Sequence, residues 1–406
     1  MQNAPSRNPY GRLLSAPALL GALTATLLLG ACGDAGTGTA PPIEEPDLDA
    51  LFAPATAAEI AQVESDWASR NPVAESVRIL NELPFLLGPV TGTVRIVSHV
   101  VDGFTHYGAV ITPPGAAAGS LPVLVYAHGS DQGISLTELQ LLATVLGTEA
   151  TQVVFVVPSF RSERLTFGNL SYLSGGDPSP WDRDVDDALA LLDVALDITP
   201  EADPTRIGAL GFSRGAGVAL LMAVREPAVD AVVEFFGPTD FLGDFVRDIV
   251  RDALILGSAD APGFGSLNQQ LIQPYDRGEI TLNELRLELI RRSPVLWADQ
   301  LPEVQIHHGE LDDVVPVAQA QSLISALLAD GRVAPAFEYF LYPAGRHDPF
   351  TLDGALTRTE VFLSRSLDLP QTSAEPAGQR VPGAADTGLP DPATFPWSWT
   401  RRGPSG

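Results

Sequence analysis

The chain has 406 residues, 45% of them hydrophobic, a single cysteine and a formal net charge of -26, so it carries enough apolar material to bury a large core. All 24 basic residues are arginine, which excludes chemistry that needs an amine on a flexible stem: a Schiff base, a phosphate-loop lysine or a serine-lysine dyad. The strong negative balance without a basic stripe argues against a nucleic-acid partner and serves solubility.

At the amino terminus Arg7 and Arg12 precede "LLSAPALLGALTATLLLGAC", a charged start, an apolar stretch and a small-residue end, which together read as a secretory signal. Leu29, Gly30, Ala31 and Cys32 resemble the lipobox of bacterial lipoproteins. The resemblance implies that residues 1–31 are removed and that Cys32 is lipidated, anchoring the chain to a membrane of the cell envelope. Gly33, not an aspartate, follows the cysteine, and by the same resemblance this points to the outer membrane. A lone thiol has no intrachain disulfide to make, which fits this use. Residues 32–50 are small, acidic and proline-bearing, as expected of a solvated tether.

Residues 51–90 are expected to form a helical extension. Thr56 and Glu59 are spaced as a capping box, and Ile60, Val63 and Trp67 share one helical face. A larger domain follows, over residues 91–369. "TVRIVSHVV" and "THYGAVITPP" read as an antiparallel pair turning at Asp102 and Gly103. The runs "PVLVYAHG", "QVVFVVPSF", "RIGALGF", "AVVEFF", "EVQIHHG" and "AFEYFLYP" are mostly continuously apolar, as strands buried on both faces are. Helical patterns such as "DVDDALALLDVAL", "AQAQSLISALLAD" and "DGALTRTEVFLSRSL" separate them. This alternation predicts an α/β fold, a mainly parallel sheet flanked by helices, with functional groups at the carboxyl ends of the strands. Residues 238–300 are the longest excursion between strands and read as a helical cap, with Thr281 and Glu284 as a second capping box. From residue 370 the chain is rich in proline and glycine, a low-complexity tail in which Trp397 and Trp399 could dock.

Within "RIGALGFSRGAG", Gly211, Ser213 and Gly215 form Gly-x-Ser-x-Gly. The bare pattern arises by chance roughly 0.2 times in a chain of this length and composition, so context has to carry it. It follows a strand and precedes the helical stretch "GAGVALLMAV", the setting of a nucleophile elbow. Side chains at the glycine positions would collide with neighbouring backbone, and Ser213 Oγ would project from the strand end over a helix amino terminus. A serine hydroxyl needs a base, and the base needs a group to hold it. His347 in "YPAGRHDPF" and Asp312 in "IHHGELDDVVP" both fall after late strands, giving the order Ser213, Asp312, His347. Asp313 and Asp240 remain alternatives for the acid. His307 and His308 lack an accompanying cluster with ligand spacing, so they read as structural, with no metal or cofactor implied.

Across residues 90–368 the pieces "YAHGS", "PSFRSE", "DVDDALALL", "GFSRGAG", "RRSPVLWADQLPEVQIHHGELDDVVP" and "GRHDPF" resemble α/β-hydrolases, in particular the catalytic domain of the prolyl-oligopeptidase group. The resemblance implies an α/β-hydrolase fold and a serine hydrolase with Ser213 as nucleophile, His347 as general base and acid and Asp312 as the orienting carboxylate. Two backbone donors should form the oxyanion hole: the N–H of Arg214, and that of Ser130, which stands with Asp131 where the group often has a glycine. His128 is expected to shape that loop. About 40 residues separate the tether from the first strand, too few for the β-propeller that screens substrates in oligopeptidases. The expected activity is therefore cleavage of an ester or a peptide or amide bond through an acyl-enzyme, on a small ester or short peptide. Asp131 and Asp348 near the site would disfavour anionic substrates. The alternative is a non-catalytic binding protein on the same scaffold.

Overall fold

The computed structural model describes residues 48–259 and 261–370, all within one unit of the chain, residues 45–406. The expected signal at residues 1–31, Cys32, most of the expected tether and the tail with Trp397 and Trp399 lie outside the described residues.

The first helix among the described residues is α1 (Ala57–Ser69), whose amino end is closed by the expected box: Thr56 Oγ1 accepts from the Glu59 N–H at 3.3 Å and Glu59 Oε2 accepts from the Thr56 N–H at 2.9 Å. Val63 and Trp67 are buried, and Trp67 packs on Trp297 with ring centroids 4.6 Å apart. Residues 51–90 are not helical throughout, however. A 13-residue strand, β1 (Glu75–Leu87), follows the helix and pairs antiparallel with β2 (Val90–Val101). Its first six residues are exposed, so no apolar alternation marks them as a strand.

β2 turns at Asp102 and Gly103 into β3 (Phe104–Thr112), and β4 (Leu121–Ala127) begins the parallel part. The order then runs β5 (Ile134–Ser135), α2 (Leu136–Leu146), β6 (Val154–Ser159), β7 (Arg164–Phe167), β8 (Leu170–Leu173) and α3 (Arg183–Ile198). β9 (Ala202–Phe212), α4 (Arg214–Arg225), β10 (Val229–Phe235) and α5 (Asp244–Leu256) follow. Two short helices, α6 (Phe264–Leu267) and α7 (Gln273–Asp276), precede α8 (Leu282–Ile290), and β11 (Glu303–Gly309), α9 (Ala318–Ala329), β12 (Phe337–Tyr342) and α10 (Ala355–Ser366) complete the described elements.

The large sheet has the order β1-β2-β3-β6-β4-β9-β10-β11-β12, parallel from β6 to β12. From β4 the chain steps to β6 on one side and then to β9 on the other, so a crevice opens above the ends of β4 and β9. In β4, Val123, Val125 and Ala127 join the core on one face while Leu124 and Tyr126 join the core on the other. Burial on both faces explains why these strands read as unbroken apolar runs. β5, β7 and β8 form a separate three-stranded sheet. Residues 238–300 hold α5 to α8 as a helical excursion, and the Thr281–Glu284 box opens α8.

The acidic start of α3 is buried rather than solvated. Asp182, Asp184, Asp186 and Asp187 are each at most 6% exposed, and each meets arginine: Arg70 at Asp182, Arg214 at Asp184, Arg225 at Asp186 and Arg161 at Asp187. Removing one member of such a pair leaves an uncompensated charge in the interior.

Candidate active site

Ser213 occupies the single residue between β9 and α4, with φ 53° and ψ -120°. A positive φ is costly for a residue with a Cβ, and here the fold holds it through the Ser213 N–H, which donates to the Phe235 carbonyl at 2.9 Å. The turn also needs its glycines. A Cβ at Gly215 would lie 2.0 Å from the Ala127 carbonyl oxygen, and one at Gly211 would lie 2.2 Å from that of Gly215. This close approach lets α4 start directly beneath the serine. The side chain of Ser213 makes no capping bond to its own helix.

Asp312 and His347 are brought together by a second close approach. The end of β11 and the loop after β12 touch at Gly309 and Gly345, where a Cβ on Gly309 would sit 2.3 Å from the Gly345 carbonyl carbon. The Leu311 N–H donates to the Gly345 carbonyl at 2.9 Å, which stitches the two loops. His347 Nδ1 then lies 2.7 Å from Asp312 Oδ2. The other carboxylate oxygen, Oδ1, accepts from the N–H groups of Val314 and Val315, each at 2.9 Å. Asp312 is thereby fixed, and because a carboxylate only accepts, the Nδ1 of His347 is the donor, which in the neutral ring leaves the lone pair on Nε2. Nε2 is buried without a hydrogen-bond partner among the described residues.

Phe236 links the pair to the elbow. It follows β10, the strand whose last carbonyl holds Ser213, and its ring packs on the His347 ring with centroids 4.4 Å apart. Ser213 and His347 thus flank one turn, without a hydrogen bond between Oγ and Nε2. Such contacts are often long before substrate binds.

The two other acids are placed elsewhere. Asp240 accepts from the Leu242 N–H at 3.1 Å, while its own N–H donates to Gln319. Asp313 is exposed beside Asp312, and only Asp312 bonds to His347 among the described residues. His308 backs the acid: its Nε2 donates to the Val315 carbonyl at 2.8 Å and stands 3.5 Å from Asp312 Oδ2. Burial pulls its pKa down to about 4, so it is neutral. His307 is bonded to the Tyr342 hydroxyl at 2.8 Å and to Gln305 at 2.9 Å. Glu234, fully buried on β10, has its carboxyl pushed up to about 8, chiefly by burial and also by the charge on Asp312. It accepts from the Gly237 N–H and so secures the turn under Phe236.

The loop after β4 lies against the elbow, since a Cβ on Gly129 would be 3.3 Å from Ser213 Cβ. Ser130 adopts φ 77°, and its Oγ accepts from the Gln132 N–H at 2.8 Å. The Ser130 and Arg214 N–H groups have no acceptor among the described residues. His128 Nδ1 lies 2.8 Å from the Gly129 carbonyl, so the ring donates there. That turns the peptide between 129 and 130 so that the Ser130 N–H faces the opposite way. Asp131 is exposed beside this loop, and Asp348 accepts from the Phe350 N–H at 2.9 Å next to His347.

Sequence reasoning missed the carboxylates under this loop. The Arg214 side chain is buried and paired with Asp184 and Glu163. The available signal was an arginine directly after the serine of the elbow, which has to find acceptors if the helix start is buried.

The model of the dienelactone hydrolase family matches residues 177–257, a span from just before α3 to the end of α5 that includes the elbow. A search of curated proteins found no match. Among solved structures, acetyl xylan esterase 1 from Thermoanaerobacterium sp. is 20% identical with a TM-score of 0.53, covering 79% of this chain and 99% of that one. Acylaminoacyl peptidase from Pyrococcus horikoshii is 16% identical with a TM-score of 0.48, covering 74% of this chain and 44% of its own. A puromycin-hydrolyzing peptidase of Mycobacterium tuberculosis is 17% identical with a TM-score of 0.49, covering 72% and 47%. The chain thus spans less than half the length of these two peptidases. With the sheet order and the elbow, the likeness to the esterase gives the fold: the chain has the α/β-hydrolase fold.

Proposed function

We propose that the chain is a serine hydrolase in which Ser213 attacks an ester or amide carbonyl, His347 takes and returns the proton and Asp312 holds the imidazole. The observation that carries this reading is the bonded Asp312–His347 pair packed through Phe236 against the turn that carries Ser213. In the first step Nε2 accepts the hydroxyl proton as Oγ bonds to the carbonyl carbon. The charge that develops on the carbonyl oxygen falls to the N–H groups of Ser130 and Arg214, and a donor of this kind is worth about 3 kcal/mol of barrier lowering. His347 then protonates the leaving group, and water attacks the acyl-enzyme by the same route in reverse.

Esters are the favoured substrate class, because an alcohol leaves from the tetrahedral intermediate more readily than an amine, which must be protonated first. The dienelactone hydrolase match over the elbow agrees with this choice. On the sequence alone, the enzyme would be carried on the cell envelope through lipidated Cys32, at the outer membrane.

Short-chain nitrophenyl esters and aminoacyl anilides, assayed side by side, test the proposal. Turnover of the esters, with anilides at least about 10²-fold poorer in kcat/KM, is the expected result. Comparable turnover of anilides would shift the substrate class to peptides, and hydrolysis of neither set would favour the non-catalytic binding protein.

A further inference from the structure

The geometry points to a second task for Arg214: its guanidinium is a positioning group that clamps the loop bearing Ser130 to the elbow, so that one residue sets both donors of the oxyanion hole. The inference rests on the serine hydrolase reading and deepens it.

Arg214 is the first residue of α4, and its side chain is 3% exposed. The guanidinium makes a planar, two-pronged contact with Asp184, Nε to Oδ2 and Nη2 to Oδ1, both at 2.8 Å. Nη1 donates to Glu163 Oε1 and also to the Ser130 carbonyl oxygen at 3.2 Å. Its flat face lies over the Phe160 ring, 5.1 Å from the centroid. Four segments therefore converge on one cation: the start of α4, the loop after β4, the loop after β6 and the start of α3. Five donors in a fixed fork suit such a hub, and an ammonium does not.

The contact with Ser130 matters because of that residue's backbone. At φ 77° it sits where a residue with a Cβ is disfavoured, so the loop stays there only if its surroundings hold it. Its carbonyl is held by Arg214, and the preceding carbonyl, that of Gly129, by His128 Nδ1. With both flanking carbonyls tied, the orientation of the N–H between them is fixed, in a loop that lies against Ser213. Glu163 stands between the two ties, its Oε1 on Arg214 and its Oε2 3.6 Å from His128 Nε2.

The donor and the clamp can be separated experimentally. The N–H of residue 214 belongs to the backbone and survives any substitution except proline, so replacing the side chain tests the clamp alone. Arg214→Lys keeps the buried positive charge but loses the fork. The triple variant Arg214→Met, Glu163→Gln, Asp184→Asn leaves no unpaired charge and provides a folded comparison if the lysine variant is unstable. In either variant, kcat for a nitrophenyl ester is expected to fall about 10²-fold with KM within a few-fold, the cost of losing one oxyanion donor. Affinity for a boronic acid, which forms a tetrahedral adduct, should fall in parallel while affinity for the carboxylic acid product does not. A purely structural role would move melting temperature without that split. A folded variant with wild-type kcat and boronate affinity would overturn the clamp. Fluorophosphonate labelling of wild-type Ser213 keeps the two claims apart: with labelling intact only the clamp falls, whereas an unlabelled wild type removes the hydrolase reading itself.

Discussion

Ser213→Ala is expected to lower kcat for the preferred ester by roughly 10⁴- to 10⁶-fold, leaving only what binding and the oxyanion donors supply. The loss should come without unfolding. The hydroxyl caps nothing in its own helix, so its removal strands no buried partner. The Ser213 N–H, which anchors the turn to the Phe235 carbonyl, is unchanged by the substitution. Alanine at φ 53° carries nearly the same backbone strain as serine, so the melting temperature should stay within a degree or two of wild type. Steady-state kinetics with a thermal melt on the same preparation check both halves. A variant that retains activity while folded would move the nucleophile elsewhere.

Asp312→Asn is expected to cost roughly 10⁴-fold in kcat, and the reason lies in the second oxygen. Oδ1 receives two backbone N–H groups, from Val314 and Val315. In an asparagine the amide oxygen has to take that position, because an NH₂ there would face two donors. The NH₂ then points at His347 Nδ1, which can accept only by giving up its proton. His347 is driven into the tautomer with the proton on Nε2, and that nitrogen no longer takes a proton from Ser213. Asp240→Asn and Asp313→Asn leave the imidazole untouched and should change kcat by no more than a few-fold. Comparable losses at either position would reassign the acid.

Much of the fold could be read from the sequence because strands buried on both faces leave continuous apolar runs, as β4 does through Val123, Leu124, Val125 and Tyr126. β1 could not, since it lies at the edge of the sheet with its first half in solvent and Pro84 in its second half. β5, β7 and β8, with two to four residues each, are too short to set up a period. The placing of Ser213, Asp312 and His347 in turns after strands was legible because each turn has its own glycines. The charges behind them were not. Glu163 and the aspartates of α3 resemble a solvated face until tertiary packing brings Arg214, Arg161 and Arg225 onto them. His308 likewise shows its contact with the Val315 carbonyl and its approach to Asp312 only when the loop after β11 has closed.

The central claim is that the turn at the end of β9 presents an activated hydroxyl, and the most direct measurement is the intact mass of the protein after exposure to a fluorophosphonate. The account predicts a single phosphonyl adduct, placed on Ser213 by fragmentation, absent from Ser213→Ala and formed much more slowly in Asp312→Asn. No adduct on the folded wild-type protein, or an adduct on another side chain, would contradict it.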